Sequence, residues 1–148
     1  MPNDLKLHIL LSLVQISFLP ASVLFLIVAE IKKNNQMIQI FLISIFISGL
    51  ATVASYYTGL SAEILIDGFP AIQNEIIDNH KFHSEVLTIL VIVLSFLSLI
   101  GLKFYSNKMF KLGLIVLAFC IASYSIFNSL QGLNVRHTET RNIKQNFG

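Results

Sequence analysis

Charge is missing from this sequence in four long blocks. Leu7–Ala29, Asn34–Ala62, Val86–Leu102 and Leu112–Val135 contain no Asp, Glu, Lys or Arg. A helix needs about 20 apolar residues to cross a hydrocarbon core roughly 30 Å thick. Three of the blocks meet that length comfortably, and Val86–Leu102 reaches it with Phe82 and Leu102–Tyr105 at its ends. Four blocks of this kind predict an all-α, integral membrane four-helix up-down bundle. The composition agrees: 55% of residues are hydrophobic and 12% charged, where a soluble domain carries about a quarter charged residues.

The expected spans are 7–31, 37–60, 83–104 and 109–132, within one domain covering 1–135, with a loop at 61–82 and a polar, disordered tail at 136–148. The first span follows Met1–Lys6, which lacks a strongly basic leader and a small-x-small cleavage site, so it is expected to stay in the mature protein. Pro20 removes one backbone donor and is expected to kink this helix without splitting it. The turns Lys32–Gln36 and Tyr105–Lys108 are too short for anything but antiparallel neighbours. The chain therefore reads as two helical hairpins.

The long connection contains a turn at Asp67-Gly68-Phe69-Pro70, with Pro70 suited to a first helical position. Phe69, Ile72, Ile76, Ile77 and His80 then share one helical face, opposite Gln73, Asn74, Glu75, Asp78 and Asn79. This stretch reads as an interfacial helix or as an extension of the third span. Lys32, Lys33, Lys103, Lys108 and Lys111 mark the two short turns, whereas the long connection holds Lys81 among acidic residues. By the positive-inside rule the short turns are cytoplasmic and both termini exoplasmic.

Each span carries a row of small or polar residues. Ser12, Gln15 and Ser22 lie in the first, and Ser44, Ser48, Thr52, Ser55 and Gly59 in the second. Ser84, Thr88, Ser95 and Ser98 lie in the third, with Cys120, Tyr124, Asn128 and Gln131 in the fourth. Such rows glue helices in lipid by close approach and interhelical hydrogen bonds, so they require no ligand. Cys120, the only cysteine, forms no internal disulfide and reads as a small packing residue. No charge lies mid-span, which argues against a proton pump or ion-coupled transporter. A net charge of +2 without a basic stripe argues against a nucleic-acid partner.

All four histidines, His8, His80, His83 and His137, map to the end opposite the short turns. His8 and His83 begin helices that run in the same direction and are expected at similar depth. A haem held between helices needs two imidazoles at matching depth on different helices. His8 and His83 meet that requirement, and His80 or His137 can replace either. Lys6, Lys81 and Arg136 are available to propionates, and Glu63, Thr58 or Asn134 to the second imidazole N–H. A non-haem metal held by His8, His83 and His137 with Glu63 or Glu75 is a second reading. The plain reading is interfacial histidines with ordinary hydrogen bonds.

His8 at the start of span 1, Thr58-Gly59-Leu60-Ser61-Ala62-Glu63 closing span 2, His83-Ser84-Glu85 opening span 3 and Gly132-Leu133-Asn134-Val135-Arg136-His137 after span 4 together carry a resemblance. The chain is similar, over nearly its whole length, to a family of short bacterial inner-membrane proteins of unknown function, with four helices and histidines at these stations. The family's first histidine is typically followed by proline, where this chain has Ile9, and its glycine pair after span 4 is here Gly132 alone. The resemblance implies the four-helix fold, the inner membrane and a redox or haem-linked role.

Three functions follow as expectations. The first is a cytochrome-b-like module holding one haem b or metal at the exoplasmic face and passing electrons to a redox partner. The second is a structural or assembly subunit that recognises another membrane protein. The third, ranked last, is an enzyme acting on a lipid or quinone with His83 paired to Glu85 or Glu63, since no nucleophile or paired acidic motif is evident.

Overall fold

The computed structural model describes the backbone of residues 3–66 and 74–147 and the side chains of residues 7–61 and 78–131. Four helices account for the described backbone: α1 (Asn3–Ile31), α2 (Asn35–Ile66), α3 (Asn74–Phe104) and α4 (Lys108–Phe147). Each is long and apolar enough to cross a membrane, over Leu7–Ile31, Asn35–Ser61, Asp78–Phe104 and Lys108–Gln131. α1 packs on α2 and α4, and α3 packs on the same two. The helices therefore form a square, with α1 diagonal to α3 and α2 diagonal to α4.

α1 runs unbroken through Pro20. It ends in a double closure: the Asn34 N–H donates to the Ala29 carbonyl and the Lys33 N–H to the Glu30 carbonyl, each at 3.0 Å. Lys33 takes the left-handed conformation this closure needs, with φ 52°, a place glycine usually fills. Asn34 then caps α2 by accepting from the Met37 N–H at 3.1 Å. Asn107 does the same for α4, accepting from the Phe110 N–H at 3.1 Å. Both short turns thus use an asparagine to satisfy orphan donors.

The long connection is shorter than the sequence suggested. α2 continues to Ile66 and α3 begins at Asn74, so the amphipathic stretch from Asn74 onward extends α3. No Gly or Pro interrupts these flanks, and Glu75 in the first turn of α3 favours the helix dipole. Asp67–Gln73, including the proposed role of Pro70, lie outside the described residues. The expected disordered tail is also helical, since α4 runs through 136–147. No Gly or Pro lies between Gly132 and Gly148 to stop it.

The interior contains Leu19, Val23, Leu26, Leu42, Ile45, Val91, Leu94 and Ala118, joined by the fully buried Ser48, Thr52, Ser98 and Ser125. The outer surface is the more apolar side: Leu10, Leu24, Leu50, Ile89, Phe96 and Leu130 are all exposed. Water would not tolerate so continuous an apolar mantle, whereas lipid requires it. The molecule is a multi-pass membrane bundle in contact with the bilayer.

Small residues set the helix separations. A Cβ on Gly49 would strike the Ser95 side chain, with Ser95 Cβ at 2.9 Å, so α2 and α3 cross in direct contact there. Cys120 departs from the expected row and is exposed. It sits about 80° around the helix from Asn128, and Ser125 takes the inward place instead.

Candidate functional site

Most serines and threonines of the rows do not bond across helices. Ser22, Ser48, Thr52, Thr88 and Ser95 each donate to the carbonyl four residues back in their own helix. Interhelical side-chain hydrogen bonds among the described residues concentrate at the histidine end. The opposite end is joined by an ion pair, Lys111 Nζ to Glu30 Oε2 at 2.6 Å, linking α4 to α1.

At the histidine end α1 is held to α2 by one imidazole. His8 Nδ1 lies 3.0 Å from the Ser55 carbonyl oxygen, with Thr58 Oγ1 at 3.4 Å. A carbonyl only accepts, so Nδ1 carries the proton and Nε2 bears the lone pair in the neutral ring. The ring rests on Gly59, where an added Cβ would come within 2.9 Å of His8 Cε1. Ser12 Oγ and Ser55 Oγ, 3.0 Å apart, continue the seam one turn deeper. The second-nitrogen partner expected from Thr58, Glu63 or Asn134 is thus the Ser55 carbonyl, which residue types alone do not reveal.

α3 and α4 make a parallel arrangement. His83 Nδ1 is 2.6 Å from Tyr124 Oη, and its ring stands edge-on to Phe82, Tyr124 and Phe127 with centroids 5.7–5.9 Å apart. Asn128 Nδ2 donates to Ser84 Oγ at 3.2 Å. Glu85, two residues beyond His83, points elsewhere and accepts from Tyr56 Oη of α2 at 3.1 Å. A two-residue step is about 200° around a helix, so the expected His83–Glu85 acid–base pair is not formed.

The two outer histidines therefore occupy different seams, His8 on α1–α2 and His83 on α3–α4. His80 lies within electrostatic range of both and approaches the Asn128 side chain. Its Nδ1 is buried without a hydrogen-bond partner, as are Ser125 Oγ, Asn128 Oδ1 and Gln131 Oε1. An unpaired buried polar group costs about 1–3 kcal/mol, so this end of the bundle holds unmet hydrogen-bonding demand. Among the described residues no three His, Cys, Asp or Glu side chains are grouped to hold a metal ion. The side chains of Lys6, Glu63, Glu75, Asn134, Arg136 and His137 lie outside the described residues.

Fold and site together define the class: a four-helix, multi-pass membrane bundle whose polar interior and histidines gather at one end. No protein-family profile matches the chain, and no curated protein or solved structure is significantly similar to it.

Proposed function

We propose that this protein holds one haem b or one metal ion at its histidine end and serves a redox-linked role with a membrane-protein partner. The observation that carries the reading is His80, whose buried Nδ1 has no partner between His8 and His83. The Nδ1 contacts of His8 and His83 add to it, because a second-nitrogen partner orients an imidazole for ligation through Nε2. Those three histidines would supply the axial or metal ligands, with His137, Glu63 and Arg136 as further candidates. The lysine-marked turns support an exoplasmic site, and the resemblance to short bacterial proteins supports the inner membrane. A single site at one face cannot carry electrons across a core roughly 30 Å thick, so a redox partner is required.

The test is the absorption spectrum and metal content of detergent-purified protein. A Soret band, or a stoichiometric metal, that is lost in His80→Ala and His83→Ala supports the reading. A colourless, metal-free protein from haem- and metal-replete cells sinks it. The second reading is a structural or assembly subunit without cofactor, favoured by the way His8 is spent holding α1 on α2. On that reading, alanine at all four histidines leaves co-purifying proteins unchanged.

A further inference from the structure

The unpaired oxygens of α4 form a series. Ser125 Oγ, Asn128 Oδ1 and Gln131 Oε1 recur every three residues and lack hydrogen-bond partners. Ser125 is 0% and Asn128 7% exposed, so lipid headgroups and bulk water do not satisfy them from outside. A three-residue step along a helix rises about 4.5 Å, which is the separation at which one water bridges two polar groups. The two amide oxygens are pure acceptors and the hydroxyl accepts as well, so the complementary molecule must donate. No carboxylate has been placed among them, which suits a neutral donor better than a cation. An unmet polar group buried in a membrane bundle is strongly unfavourable, and water with two to four polar partners is the usual remedy.

We propose that the histidine end of the bundle is a hydrated half-channel, in which waters descend about 9 Å along α4 from Gln131 past Asn128 to Ser125. It ends there. One turn deeper Ile121 and Ala118 join Leu19, Val23, Val91 and Leu94 in the apolar core, which leaves no polar atom to carry the chain further. The half-channel keeps water and protons in exchange with His80 and the His83–Tyr124 pair from one face only, without a path across the membrane. It stands independently of any bound haem or metal.

Two measurements test it. In a Cys120→Ala background, which removes the native thiol, Ser125→Cys and Asn128→Cys are expected to react with a small charged methanethiosulfonate at least tenfold faster than Ala118→Cys. Equal, negligible rates at all three positions overturn the proposal. Thermal unfolding gives the second readout with milder changes. Ser125→Ala and Gln131→Leu are expected to lower Tm, because each strands a bonded water; a raised Tm for both means the oxygens are unpaired and the shaft is dry.

Discussion

At the scale of single residues, the site turns on what each imidazole touches. His8 is fixed by a carbonyl that the α2 backbone presents beside Gly59. Glycine is needed there for closeness of approach, since its backbone is ordinary helix. Gly59→Ala should therefore force the ring off its seat and destabilise the protein by about 1–3 kcal/mol, as overpacking does. In a His8→Ala background the same change should be nearly neutral, because the atoms it would strike are gone. Reversible unfolding in mixed micelles provides the cycle; equal effects in both backgrounds would show that Gly59 acts on something other than His8. The contact of His83 with Tyr124 has no comparable seat and relies on the aromatic rings around it.

At the scale of helices, the glycines divide by what a methyl group would meet. Gly49 faces Ser95 across the α2–α3 crossing, whereas nothing lies within 4 Å of a Cβ on Gly113. Gly49→Ala should push the helices apart and cost about 1–3 kcal/mol. Gly113→Ala should be neutral or stabilise by about 0.5–1 kcal/mol through helix propensity. Thermal melts of both variants in one detergent check the pair, and a Gly49→Ala protein as stable as the parent would refute the close crossing. The turns follow the same local logic. Lys33 occupies a left-handed position where a side chain is strained, yet the closing hydrogen bonds to Glu30 and Ala29 hold it.

At the scale of the whole molecule, the bundle is asymmetric along its axis. One end is tied by the short asparagine-capped turns and the Glu30–Lys111 pair. The other carries the histidines, the interhelical hydrogen bonds and the unmet polar atoms. The lysines of the short turns should hold that first end in the cytoplasm. Reporter fusions at the C-terminus should then give periplasmic phosphatase activity and no cytoplasmic fluorescence, and fusions truncated at Asn107 the reverse. The opposite pattern would invert the orientation and place the histidine end inside the cell.

The sequence by itself determined the class of molecule. Charge-free blocks of bilayer length leave helices as the only structure that satisfies its own backbone in lipid, and short turns make neighbours antiparallel. It also determined which end is chemically rich, because the histidines fall at the same end in an up-down chain. Only the tertiary structure decided how the helices are rotated. Lipid is as apolar as a leucine-rich core, so hydropathy changes little around each helix and the inward face is weakly marked. That is why Cys120 could be read as inward while Ser125 holds the place. It is also why the serine rows bond mainly within their own helices. Rotation placed His8 against Ser55 and Gly59, turned His83 to Tyr124, sent Glu85 to Tyr56 and left His80 between them. These pairings depend on backbone carbonyls and on distances of closest approach, which a string of residue types does not record.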